Sequence, residues 1–243
     1  AAVRGGMGGK QFTGRRIAVV GGGPAGMSAA LERARLGADV VLFERQDQLG
    51  GQFRLAQRIP GKFEFNETIR YFQTQLSHLG VDVRLGTIAT TETVAAFDEV
   101  VMATGVRPRS LNIPGVDRPE VVSYVDVLNG TVQVGGRVAI VGAGGIGFDV
   151  ADFLTHDADD AGFMASWGVD TSLESRGGLA PPQRTASQRV VHMYQRRAGK
   201  MGKGLGKTTG WIHRNTLKQR GVKQWSGVSY DRVDDRGFHV TLE

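Results

Sequence analysis

The chain has 243 residues, a formal net charge of +6 and no cysteine, a length that suits one large domain or two ordinary ones. No apolar run approaches the ~20 residues of a membrane helix, and the lack of Cys excludes disulfides, thiolate metal sites, Cys nucleophiles and iron–sulfur clusters within these residues. Lys and Arg are spread along the chain apart from a local cluster running from Arg196 to Lys207, a distribution that suits a phosphate-bearing small molecule as well as nucleic acid.

Residues 1–14, AAVRGGMGGKQFTG, contain neither an initiator Met nor the apolar centre of a signal peptide, and read as a linker into a strand at 17–20. Gly21-Gly22-Gly23-Pro24-Ala25-Gly26 is a turn, residues 27–36 have helical spacing, and 40–43 form the next strand. In such a βαβ unit Gly21 permits the tight turn, Gly23 lets the backbone approach a pyrophosphate, and Gly26 lets the helix pack on the strand. The helix start then offers free N–H groups and a partial positive charge to phosphates. Glu44, eighteen residues after Gly26, stands where a carboxylate accepts hydrogen bonds from ribose hydroxyls. The expected ligand is an adenosine diphosphate moiety with an unphosphorylated ribose; a plain strand–helix corner would leave the acid in register unexplained.

The stretch after Glu44 opens with Arg45 and carries a second glycine pair, Gly50-Gly51. In two-dinucleotide flavoproteins a loop like this wraps the far side of the flavin nucleotide, which favours FAD over NAD. FDEVVMATGVRPR then supplies a strand ending in Ala103-Thr104-Gly105, similar to the segment that closes the FAD domain in that superfamily. The first domain is expected to span 15–133.

A second domain, 134–243, repeats the pattern. Residues 137–141 read as a strand, Gly142-Ala143-Gly144-Gly145-Ile146-Gly147 as the turn and 148–154 as the helix. Residues 155–188, punctuated by GG and PP, read as an irregular insertion. Only then does RVVHMYQRR supply the next apolar run. Laying VVLFER over VHMYQR puts Gln195 in the place of Glu44, followed by Arg196, Arg197 and Lys200. A carboxylate would repel a 2′-phosphate, whereas arginines bind it with charge-assisted hydrogen bonds. The second ligand is therefore expected to be NADPH rather than NADH, the alternative being that Arg196 and Arg197 merely solvate a strand end.

KMGKGLGKTT resembles a P-loop, but that pattern needs Gly where Met201 stands and a strand leading straight in. It is expected to be a flexible basic loop near the NADPH phosphates, with Lys203 and Lys207 as cofactor contacts or solubilising charges. The five histidines are scattered without metal-ligand spacing. The acidic run after His156 reads as a solvated loop, and Asp149 as an N-terminal helix cap. GFHVTLE stops in a strand pattern, so both ends read as those of a piece of a longer polypeptide.

GGQFRLAQRIPGK, VVSYVDVL, VGAGGIGFDVA and GLGKTTGWIHR, in this order and spacing, resemble segments in the C-terminal half of the bacterial NADPH-dependent 2,4-dienoyl-CoA reductases, relatives of the old yellow enzymes. The resemblance implies an α/β fold with two Rossmann-like FAD/NAD(P)-binding domains in the three-layer arrangement of pyridine nucleotide-disulfide oxidoreductases, truncated at both ends. It implies that Ala25, Glu44, Gln52, Lys62 and Ala89 line the FAD site and that Arg196, Arg197 and Lys200 hold the NADPH 2′-phosphate. A barrel carrying FMN, an iron–sulfur cluster and the diene-reducing residues would lie outside this chain, as would the last strand and helix of the FAD domain. The implied role is the electron-input half of unsaturated acyl-CoA β-oxidation, hydride passing from NADPH to FAD. That role implies a cytoplasmic setting, the barrel as partner, and neither nucleic acid nor membrane. Two alternatives stay open: an amine dehydrogenase or enoate reductase of the same architecture, and a nucleotide-binding module without turnover.

Overall fold

The computed structural model describes residues 11–156, 160–183 and 187–242; most of the expected linker and most of the acidic run after His156 lie outside them. The chain divides between Arg109 and Ser110 into two compact units.

In the first unit, β1 (Arg16–Val20), α1 (Pro24–Arg35) and β2 (Asp39–Phe43) form the leading βαβ unit. They are followed by α2 (Phe53–Ala56), α3 (Phe65–His78), β3 (Asp82–Arg84), α4 (Thr91–Val94) and β4 (Glu99–Met102). The four strands are parallel and ordered β3-β2-β1-β4. Ile17, Ala18 and Val19 have no exposed surface, as expected of a parallel strand covered on both faces. Ile17, Val19, Val40 and Leu42 pack against Met27, Ala30 and Leu31 of α1 and Leu76 of α3, the i, i+3, i+4 stripe of an amphipathic helix. Ala18, Val41 and Phe43 face the other way, against Ala89, Val94 and Phe97. Alternation along two strands thus builds the layers. Because β1 leads to β2 on one side and the chain returns to β4 on the other, the strand order reverses beside β1, the place where open α/β sheets bind ligands.

The second unit holds α5 (Tyr124–Asn129), β5 (Arg137–Val141), α6 (Gly145–Thr155), α7 (Asp160–Ser166), β6 (Val190–Gln195), α8 (Gly210–Gln219) and β7 (Lys223–Ser226). It ends with the antiparallel pair β8 (Val228–Asp234) and β9 (Gly237–Leu242). Its parallel sheet runs β5-β6-β7. Asp152 of α6 and Arg220, the residue that ends α8, form an ion pair with side chains only 12% and 17% exposed. Arg220 also donates to the Asp152 carbonyl and contacts His156 Nδ1.

Three expectations change. Residues 110–133, read from sequence as part of the first domain, group with the second unit, where Val233 N donates to Pro114 O at 2.9 Å and Arg118 pairs with Asp235. The insertion at 155–188 is not wholly irregular: it contains α7, and Trp167 just after it meets Trp211 of α8 edge to face at 6.5 Å. Asp149 does not cap α6, whose N-cap is Gly144 without a side-chain hydrogen bond; Asp149 lies past the free first-turn N–H groups. No helix among the described residues is long and apolar enough to cross a membrane.

Candidate dinucleotide-binding sites

The two glycine turns share one geometry. Gly21 N donates to Phe43 O at 2.8 Å and Gly142 N to Tyr194 O at 2.8 Å, each tying the turn to the end of the neighbouring strand. A Cβ on Gly26 would collide with Gly21 O, and one on Gly147 with Gly142 O. Each third glycine therefore lets its helix sit on its own turn. Gly23 and Gly144 are the N-caps of α1 and α6, and neither helix start has a side-chain cap. Around Gly144 and Gly145 a Cβ would meet nothing within 4 Å, and Gly23 faces only Gly51 Cα at 3.9 Å. Uncapped N–H groups beside open backbone form the cradle that a pyrophosphate fits; Ala25 and the 49% exposed Ile146 flank it as exposed residues.

In the first unit the cradle has a second wall. Gly50 N donates to Gly22 O at 2.8 Å, and Gly51, with φ +51°, brings its backbone against Gly23. Gln52 Nε2 donates to Val106 O at 3.2 Å, linking this loop to the segment after β4. That segment closes the turn from the other side: Ala103 N donates to Val20 O at 2.8 Å, and Ala103 O lies where a side chain on Gly21 would go. Thr104 and Gly105 follow it, exposed. Lys62 sits in the turn between α2 and α3. Ala89 packs on the sheet face opposite α1.

Glu44 is 8% exposed, and its carboxylate accepts from Gly22 N at 2.6 Å and Gln46 N at 2.8 Å. The acid therefore braces the glycine turn from the position where the sequence leads one to expect a ribose-binding carboxylate. A carboxylate has about four lone-pair sites, so ribose hydroxyls can still bond to it. Arg45, next along, is exposed. Gly22 and Gly50, named from sequence within their glycine runs, were given no role of their own there. A Cβ on Gly22 would press on Leu49 and on Glu44 Oε2 at 2.9 Å, and one on Gly50 would press on Ile69 at 2.7 Å. The run of three glycines was the available signal for Gly22.

Strand register puts Gln195 at the position of Glu44: Val20 pairs with Phe43 before Glu44, and Val141 pairs with Tyr194 before Gln195. Gln195 turns away from its glycine turn, its Nε2 donating to Arg197 O at 2.7 Å and Gly199 O at 3.4 Å. The amide thereby shapes a loop on which Arg196, Arg197 and Lys200 are all exposed. The basic segment beyond is anchored rather than freely flexible: Met201 is 3% exposed, Gly202 packs on Phe148, and Arg214 donates to Gly202 O at 3.1 Å. Burial pushes the Tyr194 and Tyr230 hydroxyls up and the His192 imidazole down from their ordinary values. Among the described residues no cluster of His, Asp and Glu has the makings of a metal site.

Comparisons with known proteins place the chain in a family. The chain is 38% identical over 148 residues to the NADH oxidase of Thermoanaerobacter brockii, covering 58% of this chain and 23% of that protein. It is 44% identical over 134 residues to the N,N-dimethylglycine/sarcosine dehydrogenase of Chromohalobacter salexigens, covering 52% and 19%. The chain thus spans about a fifth of the length of these curated relatives. The structure of a 2-naphthoyl-CoA reductase in complex with 2-naphthoyl-CoA superposes with a TM-score of 0.78 at 24% identity, over 98% of this chain and 31% of that one, a likeness of fold. The family model described as pyridine nucleotide-disulphide oxidoreductase matches residues 15–243, and the chain belongs to that family of flavoprotein NAD(P)H oxidoreductases.

Proposed function

We propose that this chain is the electron-input part of a larger NADPH-dependent reductase of unsaturated or aromatic acyl-CoA thioesters, with FAD held in the first unit and NADPH in the second. The observation that carries the reading is the pair of matched glycine turns with unlike residues at one register position. Glu44 suits a free ribose, and Gln195 with Arg196, Arg197 and Lys200 suits a 2′-phosphate. When bound, the two cofactors supply hydride transfer from nicotinamide to flavin. The chain's own residues do the rest: Gly21, Gly23 and Gly26 with Gly50 and Gly51 hold one pyrophosphate, and Gly142, Gly144, Gly145 and Gly147 hold the other. Gln52, Lys62, Ala89 and the segment Ala103-Thr104-Gly105 are assigned to the FAD side.

The 2,4-dienoyl-CoA substrate is supported by the sequence segments GGQFRLAQRIPGK and GLGKTTGWIHR, and a CoA thioester more broadly by the fold likeness to 2-naphthoyl-CoA reductase. The partner in this reading is a barrel bearing FMN and an iron–sulfur cluster, in the cytoplasm. The chain has no cysteine, so no dithiol within it relays electrons to a disulfide.

A second reading, the equivalent part of an amine dehydrogenase, is favoured by the 44% identity to N,N-dimethylglycine/sarcosine dehydrogenase. Anaerobic mixing of the chain, FAD and NADPH separates them. Loss of the oxidised-flavin absorbance, faster with NADPH than with NADH, is expected. Bound FAD that no nicotinamide bleaches would instead leave a nucleotide-binding module without turnover.

A further inference from the structure

Among the described residues no carboxylate pairs with Arg196. Its guanidinium instead lies over an aromatic ring from another element, with Cζ 5.8 Å from the ring centroid of Tyr230 on β8. The Tyr230 hydroxyl donates to Tyr194 O at 3.1 Å, the same carbonyl that accepts Gly142 N at 2.8 Å. One ring therefore touches both the arginine and the anchor of the glycine turn. The ring is itself held in place. Phe238 of β9 packs 5.6 Å from Tyr230 and 5.3 Å edge to face from Tyr194, and the strand register shifts directly after Tyr230, the kind of irregularity that re-aims a side chain.

We propose that Tyr230 is a positioning residue for Arg196, its ring holding the guanidinium at the strand end where the second nucleotide's ribose is read. Hairpin β8–β9 and the loop after β6 then set the choice between NADPH and NADH together. This rests on the assignment of Arg196 to the 2′-phosphate. The physical argument is one of preorganisation. The ring quadrupole attracts the cation, and a guanidinium resting over a ring has less freedom to lose when it engages a phosphate dianion than one swinging in solvent.

The test measures dissociation constants for NADP⁺ and NAD⁺ by calorimetry on the full 243-residue chain, with no turnover involved. Arg196→Gln is expected to lower the preference for NADP⁺ about tenfold or more. Tyr230→Leu is expected to lower it about two- to five-fold with NAD⁺ affinity unchanged, Tyr230→Phe to keep it, and Tyr230→Leu added to Arg196→Gln to lower it no further. Equal weakening of both nucleotides by Tyr230→Leu would mean that the tyrosine only supports the turn, and an unchanged preference would mean that the ring is idle; either overturns the proposal. If Arg196→Gln itself leaves the preference unchanged, the 2′-phosphate assignment falls and this proposal falls with it. If Arg196→Gln acts and Tyr230→Leu does not, only the positioning role falls. Should Tyr230→Leu fail to fold, Tyr230→Met removes the ring and keeps a long apolar side chain. A lowered preference then supports the proposal and an undiminished one overturns it.

Discussion

The two glycine turns are alike in hydrogen bonding, yet the structures around them differ on every side. The first lies where strand order reverses, between β1 and β4, and is walled by Gly50-Gly51 and by Ala103. The second follows β5, an edge strand of its parallel sheet. At the matched register position the first has a buried acid bonded to the turn, and the second an amide bonded to the loop that follows. The turn-bearing helix α1 is held by apolar packing, and α6, which also buries Phe148, Val150, Ala151 and Leu154, carries the Asp152–Arg220 ion pair besides. A glycine turn therefore provides a pyrophosphate cradle and little more. What is bound, and how firmly the cradle is held, is decided by residues far away in sequence.

Breaking the ion pair should separate the units most sharply. Arg220→Met leaves Asp152 buried and unpaired, a change that costs about 3–5 kcal/mol when one partner of a buried pair is removed. Hydrogen exchange is the direct measurement: amides of β5 and β6 should lose protection while those of β1 and β2 keep it. Equal loss in both sheets would mean that the units do not hold their stability separately.

The next contrast concerns the matched pair Glu44 and Gln195. Glu44→Ala strips a buried N–H of Gly22 of its acceptor, at a cost of about 1–3 kcal/mol. Gln195→Ala removes bonds that are solvent-exposed, and should stay within about 0.5 kcal/mol. Urea unfolding of the two variants checks this. Similar losses would refute the distinction between a structural acid and a loop-shaping amide.

Much of this was legible in the sequence. Glycine spacing and apolar runs placed β1, α1, β2, β5 and β6, because a tight turn and a doubly covered strand each constrain residue type locally. The equivalence of Glu44 and Gln195 followed from laying VVLFER over VHMYQR across the insertion, and strand register agrees with it. What stayed hidden depends on pairs distant in sequence. Gly50 N meets Gly22 O, Arg220 meets Asp152, and Tyr230 meets both Arg196 and Tyr194 O, and no local pattern encodes such meetings. Asp149 was misread for a related reason, since the cap of α6 is backbone glycine and its free N–H groups suit a ligand rather than a side chain.

Gln195→Glu sharpens the comparison by giving the second site the first site's acid. The carboxylate cannot donate to Arg197 O or Gly199 O, and it repels a 2′-phosphate. The proposed preference for NADP⁺ over NAD⁺ should fall about tenfold, or about 1.4 kcal/mol. An unchanged ratio in binding titrations would mean that this register position does not read the ribose.

The smallest expected effect belongs to hairpin β8–β9, a feature of the second unit. Asp234 accepts from His239, which lowers its carboxyl most, and from Arg236 N, so it titrates at about 2 instead of its ordinary 3.8. A depressed carboxyl contributes stability that is complete above its ordinary value and is lost as pH falls through the folded value, here as pH drops from about 4 to about 2. The carboxylate is about a third exposed, so screening by solvent keeps the contribution small. Exchange protection of β8 and β9 amides should decline across that window, and Asp234→Asn should flatten the decline without altering protection in β1 and β2. An identical decline in the variant would place the acid sensitivity elsewhere. Near neutral pH Asp234→Asn should leave the proposed NADP⁺ preference where it was, because in the proposed arrangement the Tyr230 ring sets the pose of Arg196. A changed preference would show instead that the seating of the whole hairpin aims the arginine.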